Sequence, residues 1–180
     1  MKTFAPCLLA LLFSAGAALA QGSPYAGQEV RPIKALSDED LSALTQGRGI
    51  GFAKAAELNG YPGPMHVIEM SQRLDLTPEQ RSASEKLLSE HKARARELGA
   101  QVIDAERALD RLFADRKAVA PAVDAATRRV GELNAALRAE HLNTHLEQTA
   151  LLSAQQVARY QTLRGYDKAA GHQPAMQHPH

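Results

Sequence analysis

Cysteine is all but missing from this chain of 180 residues: Cys7 is the only one. It sits in an apolar run from Phe4 to Leu19 that follows Lys2 and ends in Ala18-Leu19-Ala20. A charged start, a short apolar centre and small residues at the end predict a secretory signal peptide over residues 1–20. The run is short for a membrane span, which needs roughly 20 residues; a retained anchor is the alternative. Past the signal no thiol remains, so the exported part does not rely on disulfides. That suits a bacterial periplasm better than a disulfide-dense secreted scaffold. The expected localisation is periplasmic, with no membrane span after signal cleavage.

Charge of one sign is also missing. The formal net charge is +1, and Lys2 is the only charge in the signal, so the rest is balanced. A nucleic-acid binder usually carries a basic excess, and none is expected here. Tryptophan is absent, and aromatics make up 4% of the chain. What remains is Leu, Ala and Val interleaved with charged residues, a composition that favours helices.

Residues 21–36 are polar, with Pro and Gly, and are read as a flexible leader. Ser37, with Asp40 three residues on, opens a short helix. Gly47–Gly51 reads "GRGIG" and breaks it. A second short helix over 52–58 stops at Asn59-Gly60, and Pro64 starts a third that runs to about Leu74.

Two stretches then use the same phrase: Leu76-Thr77-x-x-Gln80 and Leu152-Ser153-x-x-Gln156. In each the hydroxyl can cap a helix and the glutamine can close the capping box, with the leucine packing back as a staple. After Thr77 an amphipathic stripe of Leu87, His91, Leu98, Val102, Ala105, Leu109 and Leu112 predicts a helix of about 40 residues, near 60 Å long. "KAVAPAV" interrupts it. Ala126, Val130, Leu133, Leu137, His141, Thr144 and Gln148 form a second stripe, running to the second phrase. Two long helices joined by a short turn fold back antiparallel to bury their stripes. Folding about residue 119 brings the two phrases to one end of the hairpin and puts His91 opposite residue 147. Such a thin core is expected to pair with a second copy.

The histidines are the main chemical feature. His66 and Met70 are four residues apart, as are His141 and His145, and side chains one helical turn apart can share a divalent ion. By the fold-back count His91 comes within a turn of His145, with Glu85 and Glu90 near that level. A site from three helices follows: His66 and Met70, then His91 or a nearby Glu, then His141 and His145. The thioether of Met70 favours a softer ion such as copper. The bland alternative for each is an ordinary surface or half-buried helix residue. The terminal stretch 167–180 is read as a disordered tail in which His172, Met176, His178 and His180 scavenge metal loosely.

The exported, cysteine-poor, helical chain with two L-[ST]-x-x-Q phrases resembles the Spy/CpxP family of periplasmic stress proteins. The likeness covers roughly residues 65–166, and the second phrase departs from the family's LTxxQ motif by its serine. The resemblance implies a long bent α-hairpin that dimerises into a cradle. It also implies ATP-independent binding of unfolded envelope proteins or of a periplasmic sensor domain. Related branches sense or buffer zinc, nickel, cobalt or copper, using an i, i+4 pair on the first helix, a Glu on the second and a His-containing pair on the third. Met70 stands where a second histidine belongs in that pattern.

Other motifs exclude functions. "HLNTH" at His141–His145 lacks the glutamate that a zinc protease places after its first histidine. "GRGIG" follows no strand and precedes no Lys-Ser/Thr, so it is not a nucleotide loop. No Ser-His-Asp set or catalytic cysteine is present, and no enzyme activity or organic cofactor is expected. The charges of "SEHKARARE" at Ser89–Glu97 read as a solvated face, or alternatively as a client-binding surface. The expected architecture is all-α: a long antiparallel hairpin with short flanking helices over residues 37–166. The expected function is a periplasmic chaperone-like stress protein with associated metal binding. The alternative is a heavy-metal sensor or buffer.

Overall fold

The computed structural model describes residues 23–166. The stretch read as a signal peptide, residues 1–20, and the tail candidates His172, Met176, His178 and His180 lie outside the described residues. Residues 23–30 form a small unit of turns, closed by Ala26 N–H to Ser23 C=O and Gln28 N–H to Tyr25 C=O. From Arg31 on, the described residues form six helices and no strands. They are α1 (Asp38–Gln46), α2 (Lys54–Glu57), α3 (Pro64–Glu69), α4 (Pro78–Ala114), α5 (Ala120–Ala150) and α6 (Ala154–Arg164).

The helix starts come from local chemistry. Ser37, Thr77 and Ser153 each accept the N–H of the residue three positions on, and each forms a full capping box. Pro64 occupies the first turn of α3 and Pro121 that of α5. Gly47 and Gly165 end α1 and α6 in left-handed backbone. The chain turns between the long helices at 115–119, with Arg116 at φ 58°.

α4 and α5 pack antiparallel. The buried face of α4 is Ser84, Leu87, His91, Ala95, Gly99 and Val102; that of α5 is Leu133, Leu137, His141, Thr144 and Gln148. The spacings of three and four are those of one helix face. α1 crosses α4 at Gly99, where an added Cβ would lie 2.3 Å from the Leu44 carbonyl oxygen. Ile33, inside the stretch read as a leader, is buried, and Lys34 N–H donates to Asp110.

Two apolar clusters result. One gathers Leu44, Ala95, Val102, Leu133 and Leu137. The other gathers Val67, Leu74 and Tyr160, with Met70, Leu76 and Leu152 against them. Between the two levels of the hairpin lie the buried polar residues Ser84, His91, His141, Thr144 and Gln148. Burying polar groups costs free energy unless they are bonded, so this belt is where the fold departs from simple packing. Among the described residues no helix is long and apolar enough to cross a membrane.

Candidate functional site

The polar belt opens onto a cavity of about 650 Å³, walled by the loop after α1, by α2 and α3, and by one face each of α4 and α5. His66, His91, His141 and His145 all line it. These are the four histidines of the described residues, brought from three helices. The hairpin register differs from the expectation. His91 faces Glu140, His141 and Thr144 rather than residue 147. Ser84 pairs with Gln148, so the chain folds back a few residues earlier than 119.

Each imidazole is held differently. Nδ1 of His91 lies 3.0 Å from Glu140 Oε1 and 2.9 Å from Thr144 Oγ1. The Thr144 hydroxyl spends its proton on the Glu140 carbonyl. Both groups therefore accept, and Nδ1 of His91 carries the proton. Nδ1 of His145 lies 2.7 Å from the Tyr61 carbonyl oxygen, and Nδ1 of His66 lies 2.8 Å from Glu69 Oε2. By the same argument both are donors. In the neutral ring, Nε2 of each of the three keeps its lone pair. Gly63 lets His145 lie close: an added Cβ there would come within 2.8 Å of the ring.

His141 is the exception. Its ring stands edge-on to His91 with centroids 4.6 Å apart, and Phe52 flanks it at 6.0 Å. Its Nε2 is buried with no hydrogen-bond partner. Burial, with a smaller contribution from His91, lowers the His141 pKa to about 4. Burial likewise holds His91 below the usual value, against the opposing pull of Glu140. Both rings are neutral at pH 7, the form that coordinates metals. Burial raises the Glu140 pKa, but bonds from His91 and Arg94 outweigh it and hold the carboxylate below its usual range.

The other candidates fall elsewhere. Met70 packs into the apolar cluster around Leu74 and Tyr160 and does not line the cavity. Glu85 pairs with Arg81 and Glu90 with Lys86, both on the exposed side of α4. The carboxylate that reaches the cavity is instead Glu57. Its Oε1 accepts from Tyr160 at 2.6 Å and from Arg164 at 3.3 Å. Its Oε2 is buried, without a hydrogen bond, 3.7 Å from Nδ1 of His145. Burial first, then the Glu57 bond, pushes the Tyr160 hydroxyl far above its ordinary pKa. No sequence signal points to Glu57, which sits on a one-turn helix. Glu140 is flagged only by preceding His141.

The six motif residues build the joint at the hairpin's open end. Leu76 and Leu152 pack against the apolar cluster there, Thr77 and Ser153 cap α4 and α6, and Gln80 and Gln156 face each other.

A family model described as heavy-metal resistance matches residues 50–159, more than half of the chain and the span that holds all four cavity histidines. No curated protein and no solved structure matches.

Proposed function

The chain belongs to the heavy-metal resistance family, which includes the Spy/CpxP-like LTxxQ proteins, and from that premise we propose an exported metal-binding protein whose cavity takes up a divalent transition-metal ion. The observation that supports this most directly is the state of the imidazoles. Three have Nδ1–H bonded to oxygen, the arrangement that orients metal-ligating histidines. The fourth has a buried, unpartnered nitrogen. Leaving such an atom unsatisfied costs about 1–3 kcal/mol, which a bound ion offsets.

The donor set fits the group. Imidazole suits zinc, copper, nickel and cobalt. As the side chains stand, no three His, Cys, Asp or Glu groups among the described residues converge on one point. Uptake therefore involves rotation of rings around the His91–His141 pair, with His66 and His145 contributing Nε2. Copper loses its particular argument, because the Met70 thioether is directed into the core cluster.

A role as sensor or buffer fits an exported, periplasmic protein, and the signal-like pattern of residues 1–20 supports that reading. Ala105, Leu109 and Leu112 are only half-buried on α4, and a second copy is the natural cover for that stripe. Holding unfolded envelope proteins, or docking to a sensor domain, gains no comparable support. The exposed Phe113 and Val119 lie at the hairpin turn and Leu146 near its other end, while Ile50, Leu58, Tyr61 and Met65 are exposed on the loops and short helices between α1 and α4.

Calorimetry on residues 21–180 tests the reading. About one zinc, nickel, cobalt or copper ion per chain is expected. His141→Ala and His145→Ala should each weaken it, while replacing His172, His178 and His180 together should leave it. Loss of binding only in the tail variant sinks the cavity site.

A further inference from the structure

The mouth of the cavity carries a charge that the metal reading does not use. Arg48, Lys54, Lys92 and Arg96 line it. None of the four forms an ion pair among the described residues. The remaining charged pair in the lining, Glu57 and Arg164, neutralises itself. Four unbalanced cations on one cavity contrast with a chain whose net charge is +1.

These groups meet at the "GRGIG" loop, 47–51. A Cβ on Gly47 would lie 3.1 Å from the Lys92 carbonyl oxygen and 3.3 Å from Cγ of Arg96. A Cβ on Gly51 would lie 3.3 Å from Cε of Lys54. Arg48 belongs to the loop itself. The backbone N–H groups of Gly49, Ile50 and Gly51 donate no hydrogen bond among the described residues. Ile50 and Gly51 have left-handed backbone, at φ 33° and 84°, and turns with successive free N–H groups form anion-binding concavities. Beside the cations, Leu88 and the exposed Ile50 and Met65 give the lining an apolar part.

We propose that this cavity binds a small amphiphilic organic anion, with its carboxylate on loop 47–51, Lys92 and Arg96 and its aliphatic part along Ile50, Met65 and Leu88. Low-dielectric walls focus the field of the cations. The volume is in the range that encloses single small ligands, roughly 300–1,000 Å³, and favours a free molecule over a bilayer surface. The head site shares the cavity with the imidazoles, loop 47–51 lying against His141 at Gly49, but uses none of them as a ligand, so the two readings are tested by different groups.

The test is calorimetry of residues 21–180 with dodecanoate and with dodecyltrimethylammonium, both in EDTA. About one dodecanoate per chain is expected, bound about tenfold or more tighter than the cation of equal tail length. Lys92→Glu with Arg96→Glu should abolish that preference while circular dichroism stays unchanged. Lys54→Glu, on a separate element, should weaken dodecanoate as well. Zinc binding to the charge-reversed protein should persist and be no weaker than in the parent, since added carboxylates favour a cation, which separates this result from the metal reading. Equal affinity for the two amphiphiles, or dodecanoate binding indifferent to both charge reversals, overturns the proposal. So does sedimentation with phosphatidylglycerol vesicles in the absence of any dodecanoate binding.

Discussion

The side-chain amides of Gln80 and Gln156 bond to each other twice: Gln80 Nε2 donates to Gln156 Oε1 at 3.0 Å, and Gln156 Nε2 donates back at 2.9 Å. Each Oε1 also accepts the N–H of its own cap residue, Thr77 at 3.1 Å and Ser153 at 2.9 Å. Gln80 further donates to the Leu151 carbonyl and Gln156 to that of Leu74. The repeated phrase is therefore two halves of one joint. Each half caps its own helix and supplies an amide that ties α4 to α6.

If so, Gln80 and Gln156 should be energetically coupled. Gln80→Ala and Gln156→Ala should each cost about 1–2 kcal/mol in urea unfolding. The double variant should fall short of the sum by about 1 kcal/mol. Strict additivity would show that the amides act as separate caps.

Gly99 should not tolerate a side chain. Its missing Cβ is what lets the α1 backbone at Leu44 touch α4. Gly99→Ala, although favourable for an isolated helix, should destabilise by about 2 kcal/mol or more through overpacking. A melting temperature that rises would mean that α1 can shift freely on α4.

If the cavity takes up metal, Glu140 should act on it through His91. Glu140→Gln weakens the acceptor that fixes the His91 ring, and should lower zinc affinity about tenfold or more with helicity unchanged. A variant that binds as tightly as the parent would remove Glu140 from the site.

Acid should destabilise the metal-free protein in a defined window. The His141 pKa falls from 6.5 in the unfolded chain to about 4 in the fold. The unfolded state thus binds a proton that the native state refuses, and stability drops as pH falls from about 6.5 to 4. Below that both states are protonated and the loss stops growing. Allowing for screening on the cavity side, His141 should account for about 2 kcal/mol. Urea midpoints measured in EDTA across this range should flatten in His141→Leu; an unchanged slope would assign the effect to other groups.

Tyr160 and Glu57 link α6 to the wall of the cavity. Tyr160→Phe removes the bond at 2.6 Å and leaves Arg164 as the only hydrogen-bond donor to the buried Glu57. A cost of about 1–3 kcal/mol is expected in urea unfolding. No loss would mean that water takes the place of the hydroxyl.

The helix boundaries were legible because capping is local. Ser37, Thr77 and Ser153 each reach only three residues along the chain, so their chemistry is complete within the phrase that encodes it. The stripes were legible because a helix repeats its face every three to four residues. The fold-back count also put His91 within a turn of His145, although it did not place His66. The misplacement of Met70 had a specific cause. Its i, i+4 spacing from His66 assumes a helix that continues, but α3 stops at Glu69 and Met70 is its C-cap.

What the chain alone determined is the set of parts: capped helices, their apolar faces and a hairpin that must close on itself. Only the tertiary structure decided the register, which put His91 against Glu140 and Thr144, left the His141 nitrogen unpaired and brought Glu57 to the cavity. The reason is range. A cap or a stripe is fixed by neighbours within a turn of helix, whereas a register is fixed by contacts between residues dozens of positions apart. Close approaches such as Leu44 on Gly99 settle that register, and no local pattern records them.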